Sequence, residues 1–190
     1  MKLNEAWKRM ATGKYVDLNN LRVEDVDIKD IEVSLNNILR FTGHHKERKP
    51  LTVAQHSLLC LELVKLTYPD EDELYLKVFI HDFAEAYIGD ISSPVKKALG
   101  KFFYDWADPI EHTTNMAFLN TPVTVEDKQK IKYIDLMSLD IERRCMWNQI
   151  GKDKWPQVDE NRTLEKKLEL FDSAQSLEYV PLGDYIRDFK

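Results

Sequence analysis

The sequence predicts an all-α fold: a single helical bundle preceded by a short extended segment. Three observations predict it. Apolar residues recur at helical spacing along most of the chain. Residues 76–90, LKVFIHDFAEAYIGD, are apolar nearly all round, the pattern of a helix buried on every side. Residues 15–30 instead mix β-branched and acidic side chains, which predicts a short extended segment or hairpin.

The chain of 190 residues is most simply one domain, 1–190, with room for a real core. Hydrophobic residues make up 43% and charged residues 32%, a soluble globular balance rather than a disordered one. A net charge of −6 excludes a generic coat for duplex nucleic acid, which needs a basic face. It leaves room for a nucleotide pocket, where a few local cations suffice. Cys60 and Cys145 form no disulfide framework and read as buried free thiols of a reducing compartment. With no 18-residue apolar run and no signal-peptide core, a cytoplasmic protein without membrane contact is expected.

In chain order, residues 1–14, with Trp7, Lys8 and Arg9, read as a helical lead-in ending at Gly13. Asp27 or Asp30 caps a helix over 30–39 that turns Ile31, Leu35, Ile38 and Leu39 to one side. Arg40-Phe41-Thr42-Gly43-His44-His45 and the charged loop KERKP follow. Thr52 then caps the helix VAQHSLLCLELVKL, which carries His56 on its buried face. TYPDEDE is a surface loop with an acidic entry to the next helix, which suits the helix dipole. Over 76–90 one buried helix is expected, stopped by Gly89. ISSPVKKALG turns into a helix, and 102–119 form another with Trp106, Ile110, Met116 and Phe118 inward. A long helix over 124–150 opens on a Thr124–Asp127 capping box. It places Asp135 among inward apolar residues and ends in a solvated Arg143 and Arg144. Residues 157–176 give a last amphipathic helix with Leu164, Leu168 and Phe171. The tail is apolar enough to dock but has no clear period, so 157–190 is expected to pack on the rest.

The chemistry concentrates in 76–90, where His81, Asp82, Glu85 and Asp90 interrupt an apolar run. Such groups are costly to bury unless paired or metal-bound. At helical spacing Glu85 shares a face with His81 and Asp82. Taken alone, the pair better suits a hydrogen-bonded core histidine beside a capping carboxylate. His56 and Asp135, each in an apolar setting on another helix, shift the balance toward metal. Two imidazoles and two carboxylates suit a divalent transition ion (Mn, Co, Zn, Fe or Ni) and leave coordination positions open. No cysteine is expected to take part.

The order His…His-Asp…Asp resembles the HD-domain phosphohydrolases. The segments NNILRFTGH, PLTVAQHSLL, IHDFAEAYIGDISSPVK and IKYIDLMSLDIE are similar to that family's blocks over about 14–145. They resemble most its small 5′-deoxynucleotidase branch and that branch's phage deoxyadenosine-triphosphate triphosphohydrolase relatives. The resemblance implies that His56, His81, Asp82 and Asp135 hold the metal. It implies that Glu85 orients or deprotonates the attacking water and that Asp90 protonates the leaving 5′ oxygen. Arg40 would bind the phosphate, Phe41 would stack where the family carries Trp, and Lys96 would add charge. A small-molecule deoxynucleotide substrate and a homo-oligomer are implied with them. Attack at the α phosphorus serves a monophosphatase and a triphosphohydrolase alike. The competing readings are a non-catalytic nucleotide-sensing module and a cyclic-nucleotide phosphodiesterase. Glu85 also suits a helix-face salt bridge, Asp90 a turn cap, Arg40 a surface charge, and His112 a structural role or a second metal.

Overall fold

Helix dominates the structure, as the periodicity predicts, and the fold is all-α with one antiparallel ribbon near its N-terminal end. The computed structural model describes residues 6–44, 49–147 and 164–189. Strand β1 (Trp7–Arg9) pairs with β2 (Tyr15–Asp17), Lys8 lying opposite Val16. The helical lead-in is thereby corrected: three-residue strands are too short to show alternation. Gly13, at φ 90°, takes the turn between them, and Val16 is buried in the core.

Helix α1 (Ile28–Asn37) is capped by Asp27, whose carboxylate accepts from the Lys29 amide. Asp30 is buried and accepts from both the amide and the hydroxyl of Thr12. The ribbon's turn is thus pinned to α1. The C-terminal segment grips the same helix. Asn36 exchanges two hydrogen bonds with the backbone of Val180, and Glu32 accepts from Tyr179 and the Gly183 amide. Helix α9 (Leu182–Asp188) buries Leu182 and Ile186, one turn apart in a tail whose period is too short to read in sequence.

The centre of the molecule is α2 (Val53–Thr67). Thr52 and Gln55 close a capping box at its start, a feature worth about 1 kcal/mol. From residue 53 to 64 only Glu62 escapes burial, because α2 packs against α1, α3 (Asp72–Phe79), α7 (Val125–Met146) and α8 (Leu164–Ser176). Leu59, Leu63, Phe79, Phe83, Ile110 and Phe171 belong to one continuous core around it. That is why a histidine in α2 can be wholly withdrawn from solvent.

The single helix expected over 76–90 is corrected. α3 stops at Phe79, residues 80–84 form successive turns, and α4 (Glu85–Ile88) is one turn long. Amides of Phe83, Glu85 and Ala86 donate three residues back, to Ile80, Asp82 and Phe83, the tightened bonding of a 3-10 path. The His81 ring takes the Val78 carbonyl at 2.7 Å, competing with the helix ladder there. An apolar run with no polar face gives no sign of such a break. Lys8 and Ser34 satisfy the free end of α4, Lys8 donating to the Ala86 and Tyr87 carbonyls at 2.9 and 3.0 Å. Gly89, at φ 85°, then turns the chain to Asp90.

Helices α5 (Ser93–Leu99) and α6 (Lys101–Phe118) follow. Ile110 is buried, and Trp106 and Phe118 half-buried, but Met116 is 50% exposed. It stands six residues beyond Ile110, on another side of the helix. α7 opens on the expected Thr124–Asp127 box. Its end is not the solvated pair expected. Arg143 is buried against Asp140 at 2.8 Å, and Arg144 bonds the same carboxylate, which lies three and four residues back on that face. α8 buries Phe171 and half-buries Leu168. Residues 157–163 of the expected last helix lie outside the described residues. Among the described residues no helix is long and apolar enough to cross a membrane.

Candidate metal centre

His56 enters from α2, His81 and Asp82 from the turns after α3, and Asp135 from α7. The His56 Nδ1 lies 2.6 Å from Glu142 Oε1, with the Ser138 hydroxyl at 3.0 Å. His81 Nδ1 lies 2.7 Å from the Val78 carbonyl, which can only accept. Each ring therefore carries its proton on Nδ1 and turns the Nε2 lone pair inward, the arrangement that orients metal-binding imidazoles.

The two Nε2 atoms are 3.4 Å apart, and Asp82 Oδ2 lies 3.3 Å from each. The point equidistant from this near-equilateral triangle is about 2 Å from every corner, the bond length of a first-row ion to imidazole or carboxylate. Asp135 Oδ1 approaches His56 Nε2 at 3.8 Å, while its Oδ2 is held by Lys132 at 2.7 Å. Facing lone pairs at such distances repel unless positive charge lies between them, so these residues fit a divalent cation.

The electrostatics agree. Burial and Arg40 push the His56 imidazole toward neutrality, but Cys60, Glu142 and Asp82 outweigh them and raise its pKa well above the ordinary value. Burial would raise Asp82, yet His81, His56 and Arg40 hold it far below the usual carboxylate range. Asp135 is likewise lowered, against its burial, chiefly by His81. Glu142 is wholly buried and still lowered, by Arg40 and His56. A cluster that drives an imidazole toward its charged form is one that demands cationic charge.

Arg40 follows α1 in the 3-10 turn Arg40–Gly43. Its side chain is 10% exposed and lies between Glu142 at 3.2 Å and Asp82 at 3.7 Å. The buried Arg40 Nε has no hydrogen-bond partner among the described residues. It is not a surface charge. Phe41 and Thr42 adopt φ of 57° and 55°, a strained left-handed conformation for such side chains. The Phe41 ring meets Trp147 edge-on, centroids 4.6 Å apart, and lies under Arg40 at 5.5 Å.

Glu85 is buried, its Oε1 3.8 Å from Lys96 and its buried Oε2 without a hydrogen-bond partner among the described residues. Burial, then Asp82 and Asp90, raise its pKa well above normal. Burial also raises Asp90, which feels Arg40, Asp82, His56 and Lys96 and so belongs to the same cluster. His44 is exposed; His45 and residues 46–48 lie outside the described residues. His112 is exposed and lines a pocket of about 520 Å³ that reaches His81 and Asp135.

Three residues near the centre escape the sequence reading. Ser138 and Glu142 follow Asp135 by three and seven positions, the same helix face. Cys60 follows His56 by four, and its Sγ lies 3.5 Å from His56 Nε2. Cys60, which the sequence reading leaves out of the site, thus stands beside it: donor atoms of His56, Cys60 and His81 all lie within 4.8 Å of one another. Helical spacing was the available signal in each case.

No family model matches the chain. It is similar to an uncharacterized protein of Rhodobacter capsulatus, RCAP_rcc00048, with 32% identity over 142 residues, 74% of this chain and 72% of that one. It is similar also to an uncharacterized protein of Escherichia coli strain K12, YfdR, with 32% identity over 148 residues, 78% of this chain and 76% of that one.

Proposed function

The chain belongs to the family of YfdR and RCAP_rcc00048, and for this member we propose a metal-dependent phosphohydrolase acting on deoxynucleotides. One observation carries the reading: two Nε2 atoms and the Asp82 carboxylate form a triangle of 3.3–3.4 Å edges inside the protein. The HD-type motif order and its flanking blocks supply the reaction class.

His56, His81, Asp82 and Asp135 would hold the ion, and the chemistry such an ion supplies is Lewis-acid charge that acidifies water. Arg40 offers a guanidinium beside this set, 3.7 Å from Asp82, for a phosphate oxygen. Glu85, its affinity for protons raised by burial and by Asp82 and Asp90, is a base suited to take a proton from the attacking water. Asp90, raised by burial, is suited to give one to the leaving 5′ oxygen. Lys96, 3.8 Å from Glu85, adds positive charge on that side. Phe41 offers a ring beside Arg40 for the sugar or base.

A longer phosphate chain has its own support. The pocket beside His81 and Asp135 is lined by Lys77, Lys128, Lys132 and His112, with Asp108 and Glu111 also on its wall, and not by Glu85 or Asp90. Phosphates beyond the α position would extend into it while the nucleoside stays near Asp90. The test is to incubate each deoxynucleoside mono- and triphosphate with protein and Mn or Co, beside His81→Ala. Phosphate or triphosphate release by wild type, lost with bound metal in the variant, is expected. A metal-loaded wild type that hydrolyses none of them would overturn the hydrolase and favour a nucleotide sensor instead.

A further inference from the structure

We propose that Cys60 supplies a thiolate ligand to the ion held between His56 and His81, so that the centre takes zinc or cobalt(II) in preference to magnesium or manganese. The inference rests on the metal reading above and deepens it.

Cys60 stands one helical turn beyond His56 on α2 and is wholly buried. Its Sγ lies 3.5 Å from His56 Nε2 and 3.9 Å from Nδ1, nearer the nitrogen that faces the centre than the one bound by Glu142. It also lies within 4.8 Å of the His81 donor atom. A tetrahedral ion with metal–nitrogen bonds of about 2.0 Å and metal–sulfur bonds of about 2.3 Å separates its ligand atoms by roughly 3.3–3.6 Å. The separations of 3.4 Å between the two Nε2 atoms, 3.3 Å from either to Asp82 and 3.5 Å from His56 Nε2 to Sγ meet this as they stand, and Sγ has to close on the His81 side from within 4.8 Å.

The donor set then reads two imidazoles, a thiolate and a carboxylate, with Asp135 at the longer distance of 3.8 Å. Such a set is softer than the carboxylate–imidazole set alone and disfavours the hard, oxygen-seeking ions. On binding, the S–H bond breaks, a sulfur–metal bond forms, and one proton leaves to solvent. The simpler alternative is that Cys60 only donates an S–H hydrogen bond to His56.

Cobalt(II) separates the two. Metal-free full-length protein, given one equivalent of cobalt(II) without oxygen, should develop a near-ultraviolet sulfur-to-cobalt charge-transfer band. The band should persist in Cys145→Ser and vanish in Cys60→Ser and Cys60→Ala. Zinc affinity by chelator competition should fall about 10- to 100-fold in both Cys60 variants, with manganese affinity nearly unchanged. The wild-type spectrum decides the matter even if a Cys60 variant fails to fold. Cobalt bound without the band overturns the thiolate and leaves the hydrolase reading standing. Failure to bind cobalt at all overturns both.

Discussion

Glu142 places one carboxylate oxygen 2.6 Å from His56 Nδ1 and the other 3.2 Å from Arg40 Nη2. A single buried side chain thus fixes the tautomer of a proposed metal ligand and the position of the guanidinium beside it. Replacing it by glutamine keeps the shape and removes the charge. Metal affinity of Glu142→Gln should fall about 10- to 100-fold, read by chelator competition. Glu142→Ala should cost about 3–5 kcal/mol of stability, since Arg40 is left buried with its strongest partner gone. Unchanged affinity in the glutamine variant would refute the orienting role.

Arg40 allows a sharper division between binding metal and handling phosphate. Arg40→Lys keeps a cation but loses the planar fork. We expect roughly a 10²- to 10³-fold loss of kcat/KM on the best deoxynucleotide, with bound metal close to one equivalent by elemental analysis. Loss of metal in parallel with activity would instead assign Arg40 a structural part.

Thr42 holds a left-handed conformation, at φ 55°, that a β-branched residue adopts only under constraint. Thr42→Gly relieves the strain, and thermal unfolding should show a gain of about 1 kcal/mol. The same change loosens the turn that aims Arg40, so turnover should drop as stability rises. A variant no more stable than wild type would mean that the conformation is not strained.

Lys77, only 8% exposed, meets Asp127 at 2.9 Å, and Asp127 also completes the box at the start of α7. Burial alone would raise the Asp127 carboxyl, but Lys77 and the Thr124 amide and hydroxyl hold it below its ordinary 3.8. A lowered folded-state pKa stabilises fully above the unfolded value and is lost as pH falls through the folded one. The stability gap between wild type and Asp127→Asn should therefore be constant from pH 5 to about 7 and close below about pH 4. Urea denaturation at each pH measures it; a gap that persists at pH 2 would contradict the pairing.

Much of this was legible in the sequence because its informative residues lie in long helices. Thr52, Thr124 and Asp127 announce helix starts, and His56 and Asp135 stand out against apolar neighbours of fixed period. What stayed hidden depends on structure shorter than a period or on partners distant in sequence. The strands at residues 7–9 and 15–17 are too brief to alternate. The break after Phe79 is made by a histidine ring taking a carbonyl, within a run apolar on every side. Arg143 looks like a solvated helix end until Asp140 is seen beneath it. Glu142 reads as an ordinary helix glutamate until His56, 86 positions away, is placed against it.

Helix α1 is held at Asp30 by Thr12, 18 positions earlier, and at Asn36 and Glu32 by Val180 and Gly183, 144 and 151 positions later. Contacts of such separation form last and slowly. During synthesis the Glu32–Asn36 side of α1 must therefore wait until nearly the entire polypeptide has emerged, whereas the side packed on α2 and α4 can be covered earlier. A nascent chain stalled short of residue 180 should leave that side of α1 open to chaperones, however complete the α2–α3 pair already is.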